Sequence, residues 1–203
     1  MRIVIAGATS ALGIETARRL EEAGHDVVAV GTNAERLEAV PAAERAVVDL
    51  TDPAAVEQLA TRLGDVDGLV HLVGGWRGGG GLAGQTDDDY DWLEARVVTT
   101  LRNTTRAFAG AIGRSTAGRI AIISTKGVEK PTAGNANYVA LKAAAETWLA
   151  AVGHELRETA AETHVIRVKA LVTAQERAAS PERKFPGYSD VTDVAQELAE
   201  LFA

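Results

Sequence analysis

The feature that most constrains this chain is an alternation of two kinds of segment. Short runs rich in Val and Ile recur at Arg2 to Ala6, Asp26 to Val30, Arg45 to Asp49, Asp67 to Val73, Gly118 to Ser124 and Val165 to Leu171. Each is too short for a stable helix, so each reads as a strand. Between and after them, apolar residues recur at helical spacing over Gly13 to Ala23, Ala34 to Val40, Pro53 to Leu63, Asp89 to Ile112, Asn135 to Glu158 and Val191 to Phe202. Strands that are apolar throughout are buried on both faces, and intervening helices supply the covers. The expected fold class is therefore α/β, a single-domain doubly wound parallel sheet of about six strands with helices on both faces. Local signals agree: Pro53 follows the acceptor Asp52 at a first helical turn, and Gly24 sits where a left-handed cap ends the first helix. With 203 residues, 46% of them hydrophobic, the chain can fill one core and leaves little for a second, so residues 1–203 are expected to form one domain.

Composition removes several classes of function. The 21 basic and 28 acidic residues give a net charge of -7, the wrong sign for a nucleic-acid or anionic-membrane surface, so neither is expected as a partner. Cysteine is absent, and His25, His71, His154 and His164 have no close ligand spacing, so neither thiolate chemistry nor a metal site is expected. The apolar start runs straight into a glycine turn, unlike a signal-peptide core, and no run approaches a membrane span. The expected location is the cytoplasm.

In open α/β sheets, ligands bind beyond the carboxyl ends of the strands, so the loops there hold the chemistry. The first reads Gly7-Ala8-Thr9-Ser10-Ala11-Leu12-Gly13, between a strand and a helix. Glycines let the backbone approach a pyrophosphate, while free amides and the dipole at the helix start favour its charge. A second loop, Gly74 to Gly84, is glycine-rich and carries Trp76 and Arg77. These two either wall a substrate pocket, by ring stacking and anion binding, or merely anchor a surface loop. Farther on, Tyr138-Val139-Ala140-Leu141-Lys142 puts a phenol and an ammonium on one helix face. A fixed positive charge favours phenolate, which makes such a tyrosine usable in proton transfer near neutrality. His71, inside an apolar run, reads as a hydrogen-bonded core histidine, and Asp87, Asp88 and Asp89 read as caps of a long helix.

The glycine motif, with Tyr138 and Lys142 about 130 residues later, resembles the short-chain dehydrogenase/reductase family over almost the whole chain. The fold implied is Rossmann-type, and the activity is hydride transfer between NAD(P) and a small molecule bearing a carbonyl or conjugated C=N group. The resemblance implies that Tyr138 protonates the substrate oxygen and that Lys142 holds the nicotinamide ribose and lowers the Tyr138 pKa. The family's catalytic serine falls at Thr125, thirteen residues before Tyr138 and preceded by Ser124, so either hydroxyl is a candidate. Cofactor contacts are implied for Gly7, Thr9, Ser10, Ala11, Leu12 and Gly13; for Gly31, Thr32 and Asn33; for Asp49 and Leu50; for Val73, Gly74 and Gly75; and for Tyr138, Lys142, Val172 and Thr173. Homodimers or homotetramers through helices four and five, the latter with Trp148 and Leu149, are implied as well.

The departures are equally specific. Ala11 replaces the family's middle glycine, Thr99 its helix-four asparagine, and Ala170-Leu171-Val172-Thr173 its Pro-Gly turn; Asn103 lies one turn beyond Thr99, and a seventh strand is expected to be absent. Val73-Gly74-Gly75-Trp76-Arg77-Gly78-Gly79 is similar to a loop of dihydropteridine reductases, a divergent branch. These departures keep a second reading open: a cofactor-binding but catalytically idle relative serving as sensor or subunit partner. At the end of the second strand, Gly31 stands where a carboxylate would select NAD. With Ser10, Thr32 and Arg36 available to a 2′-phosphate, NADP is favoured and NAD remains compatible. Residues Ala174 to Ser189 are read as a lid.

Overall fold

Six parallel strands build the sheet in the computed structural model, which describes residues 1–203. They are β1 (Arg2–Ala6), β2 (Asp26–Gly31), β3 (Glu44–Val47), β4 (Gly68–His71), β5 (Arg119–Thr125) and β6 (Glu162–Val168), paired in the order β3-β2-β1-β4-β5-β6. The direction of winding reverses between β1 and β4, where Ala6 lies opposite His71, and a crevice opens over their carboxyl ends.

The apolar runs are explained by burial on both faces. Ile3, Ile5, Val27, Ala29, Val70 and Ala121 pack toward α1 (Ala11–Glu22), α2 (Ala34–Glu38) and α8 (Val191–Glu200). Val4, Ala6, Val28, Val30, Leu69, Ile120 and Ile122 pack toward α3 (Pro53–Leu63), α4 (Asp87–Glu94), α5 (Thr100–Arg114) and α6 (Ala136–Glu155). The expected stop and start signals operate: Asp52 accepts from Ala54 N–H at 2.9 Å, and Gly24 adopts φ +82°. No helix is long and apolar enough to cross a membrane.

Several boundaries differ from the sequence reading. The fourth helix is not one run over 89–112. Thr86 caps α4 two residues earlier than expected, and a π turn at Ala95–Thr99 separates α4 from α5, with Thr100 N–H reaching Ala95 O. The Thr100 hydroxyl donates to the Arg96 carbonyl at 2.6 Å, satisfying an acceptor there. β3 stops at Val47 because Asp49 turns back to accept from the Thr51 amide, and β4 stops at His71. β6 begins at Glu162, three residues before its expected start, because an edge strand with several solvent-facing residues lacks a continuous apolar signal. Residues read only as a lid contain α7 (Ala174–Ala179). They are bracketed by a two-stranded parallel ribbon of β7 (Leu171–Val172), just before them, and β8 (Ser189–Asp190), at their end.

Candidate active site

Two cavities meet at the switch point. The larger, about 540 Å³, is lined by Ser10, Ala11 and Leu12 of the glycine turn, by Val73 to Trp76, and by Thr125, Tyr138 and Lys142. The second, about 380 Å³, is lined by Gly7, Thr9, Gly31, Thr32, Asp49 and Leu50, with Arg96 and Thr100 on its far side. Val73 is a wall of both.

The glycine turn is held by close approach. Gly7 has φ +82°, and a Cβ there would lie 3.0 Å from the backbone of Leu72 and Val73. Gly13 packs onto Ala8 so tightly that a Cβ would meet its carbonyl oxygen at 2.5 Å. Ser10 caps α1, accepting from Gly13 N–H and donating to Gly7 O, both at 3.0 Å. At the other end, Gly74 keeps the larger cavity open beside Lys142, whose Nζ would lie 3.6 Å from a Cβ at that position. These features suit an extended phosphate-bearing ligand lying along the turn. Near Gly31, Arg36 donates to Thr9 O at 2.9 Å, which holds a cation against a residue that lines the second cavity. Asn33 is not in the lining; it caps α2 by accepting from Arg36 N–H. Asp49 is held below the usual carboxylate range by its bonds from the Thr51 amide and hydroxyl. Asn103, unassigned from sequence, donates to Leu50 O and Thr51 O and fixes this wall.

Tyr138 and Lys142 share the larger cavity with Thr125, whereas Ser124 does not. Strand alternation turns Ser124 to the opposite face, where it is buried beside Glu146 under α6. Thr125 is therefore the hydroxyl at the cavity. Lys142 donates from Nζ to Ile123 O at 2.8 Å, and burial brings its pKa down to about 8, opposed by Glu146. Burial pushes the Tyr138 phenol above its ordinary value. Desolvation outweighs any lowering by Lys142, whose Nζ stands 5.9 Å from the ring centroid. His71 is a core histidine, as expected. Its Nε2 and Nδ1 lie 3.1 and 3.2 Å from the hydroxyls of Thr100 and Thr104, and burial, with Lys142 adding, holds its pKa down at about 3.

The glycine-rich loop is pinned. Trp92 of α4 packs where a Gly75 Cβ would stand, and the guanidinium carbons of Arg77 and Arg96 each lie 4.1 Å from its ring centroid. Arg77 also pairs with Asp89 at 3.1 Å. It anchors the loop and is not in the cavity lining, which corrects its reading as a substrate contact. Trp76 remains at the cavity with 61% of its surface exposed. Val172 is buried in β7 outside the lining, and its place there is taken by Leu171. Thr173 lines the cavity, but its hydroxyl is engaged as the cap of α7, bonded to Glu176. Sequence reasoning missed Asn135, Glu176 and Lys169, which also line the larger cavity, and Arg96 in the smaller. Only Glu176 carried a signal, the Thr-x-x-Glu spacing of a capping box.

A family model described as short chain dehydrogenase matches residues 1–184. The chain is 30% identical over 210 residues to a protein of Streptomyces virginiae named for a ketoacyl reductase of the monensin polyketide synthase. That match covers 96% of this chain and 77% of the relative. It is 28% identical over 166 residues to 2,3-dihydro-2,3-dihydroxybenzoate dehydrogenase of Bacillus subtilis, covering 76% of this chain but 63% of that enzyme. Among solved structures, a short chain dehydrogenase from Burkholderia cenocepacia in complex with NADP superimposes with a TM-score of 0.81 at 26% identity. It covers 98% of this chain and 88% of the other.

Proposed function

This chain belongs to the short-chain dehydrogenase family of oxidoreductases, and on that premise we propose that it transfers hydride between NADP and a small molecule bearing a carbonyl or conjugated C=N group. The observation that carries the reading is the convergence of Thr125, Tyr138 and Lys142 with the glycine turn on one cavity. The turn and the second cavity, with Asp49 and Leu50, would hold the nucleotide, and the larger cavity its reactive end together with substrate. A bound nicotinamide supplies or accepts the hydride. Tyr138 gives its phenolic proton to the substrate oxygen during reduction, and burial keeps that proton in place at neutral pH. Lys142 holds positive charge beside the phenol, and Thr125 orients the substrate oxygen. The exposed indole of Trp76 suits stacking on a planar substrate. Relatives named for a ketoacyl and for a dihydroxylated ring support a carbonyl or alcohol substrate.

A melting comparison tests the cofactor reading. At a hundredfold excess over its dissociation constant, NADPH should stabilise the fold by about 2.7 kcal/mol and raise Tm by several degrees. NADH should do less, and Arg36→Ala should remove most of the difference, because that guanidinium, held at Thr9, would be the nearby cation for a 2′-phosphate. Equal shifts with the two nucleotides would remove the NADP preference, and no shift would remove the cofactor. The idle-relative reading draws support from Lys142 being bonded to Ile123 O. NADPH oxidation on any member of a carbonyl, quinone and pterin panel would end it.

A homo-oligomer through α5 and α6 belongs to the same proposal. Leu149 is fully buried in the core and is unavailable for it. Trp148 lies in the groove between the two helices, its indole N–H donating to Thr105 Oγ1 at 2.9 Å, and offers the aromatic surface instead. Light scattering should give at least twice the 21.3 kDa chain mass, and a monomer mass at assay concentration would refute it.

A further inference from the structure

A buried ammonium needs a partner of opposite charge, and the candidates around Lys142 can be surveyed element by element. From β4, His71 is buried and neutral, and from β5 the Ile123 carbonyl accepts from Nζ without bringing full charge. On α6 itself lie the neutral Tyr138 ring and, one turn on, Glu146. Glu146 makes no direct ion pair with the ammonium but stands one helical turn from it with its side chain only 12% exposed, near enough for its charge to oppose the effect of burial on Lys142. From β6, Arg167 holds that carboxylate with both arms of its fork, Nε to Oε1 at 2.9 Å and Nη2 to Oε2 at 2.6 Å. Arg167 and Ser124 are register partners on neighbouring strands, and Ser124 lies beside the same carboxylate. One face of α6 therefore carries a carboxylate fixed against the sheet beneath the cavity, four residues from the lysine that the reaction uses.

Resting on the catalytic reading of Lys142, we propose that Glu146, clamped by Arg167, is a positioning residue. Its carboxylate supplies the counter-charge that keeps the buried Lys142 ammonium protonated beside Tyr138, where the Ile123 carbonyl holds it. Burial alone drives an ammonium toward its neutral form, and a nearby carboxylate opposes that drive. The clamp fixes where the opposing charge stands. Burial, the largest single influence, would push the Glu146 carboxyl up, but the hydrogen bonds and positive charges around it, Arg167 first among them, together outweigh it and hold the carboxyl below its ordinary value.

The test reads the amine directly. Lys142 faces a cavity open to a reagent as small as formaldehyde, so its reductive methylation at pH 7 can be followed by mass spectrometry, with exposed Lys130 and Lys184 as references. Loss of the counter-charge in Glu146→Gln should lower the Lys142 pKa further, making labelling several-fold faster. Arg167→Gln removes the clamp that places and ionises the carboxylate and should speed labelling as well. An unchanged relative rate in Glu146→Gln overturns the proposal; if that variant does not fold, an unchanged rate in Arg167→Gln overturns it. In turnover, the alkaline limb of the kcat profile should move to lower pH in Glu146→Gln, whereas a purely structural loss would lower kcat without moving the limb. Labelling needs no catalysis. A protein that labels as expected but turns over nothing would retain this inference and lose the reaction assigned above.

Discussion

Tyr138→Phe should lower kcat by about 10²- to 10⁴-fold on any substrate the protein reduces, with NADPH binding and Tm nearly unchanged. The substitution removes one oxygen and keeps the ring that packs against the larger core. Burial is the only influence resolved on the phenol, so no structural bond is lost with it. What is lost is the proton donor at the substrate oxygen, an interaction that matters only as charge develops there, so kcat and kcat/KM should fall together. The pH profile supplies an independent arm. Lys142 titrates at about 8, so the charge beside the phenol is present below that pH and disappears as pH rises through it. Reduction by the wild-type protein should weaken over that window, and Tyr138→Phe should be slow on both sides of it. A variant that keeps more than a tenth of wild-type kcat would place proton transfer elsewhere, with Thr125 the next hydroxyl at the cavity.

The parts of this site that the sequence disclosed are those encoded within a single element. The glycine turn announces itself because a strand, a helix and the close approach between them require small residues at fixed spacing. Tyr138 and Lys142 are legible because four residues on a helix is one turn. Strand β1 and helix α3 have the expected ends because burial and capping signals lie next to each other in the chain. What was hidden depends on contacts between elements. The sequence places Arg77 in a glycine-rich loop and Arg96 in a helical run, but it does not say that both stack on Trp92, and it gives no hint that Asn103 holds the Leu50 and Thr51 carbonyls. The choice between Ser124 and Thr125 was open because spacing from Tyr138 carries no information on which strand face reaches the cavity. The π turn escaped for a related reason. One added residue rotates the helix face without removing the apolar pattern on either side.

Gly13→Ala should be the more damaging of two one-carbon changes in the glycine turn, and it should act on stability and cofactor binding together. The added methyl would stand 2.5 Å from the Ala8 carbonyl oxygen and 2.7 Å from the Ala8 Cα, both backbone atoms with no rotamer to relieve the contact. Nor can the turn retreat freely. Gly7 and Ala8 both donate to Val30 O, and Gly7 already meets the backbone of Leu72 and Val73. The strain must instead lift α1, stretching the Ser10 cap bonds, at a combined cost of about 2–4 kcal/mol. For a chain of this length that is a fall in Tm of about 4–16 °C. Because Ser10, Ala11 and Leu12 line one cavity and Gly7 and Thr9 the other, the same displacement should weaken NADPH at least about tenfold, two factors that one melting series with and without nucleotide separates. Ala11→Gly is the control. It restores a glycine at the exposed start of α1, where it costs at most about 1 kcal/mol, and leaves the contact with Ala8 intact, so the NADPH shift should survive. If Gly13→Ala kept both its Tm and its nucleotide shift, the close approach of α1 to the first strand would not be what shapes this site.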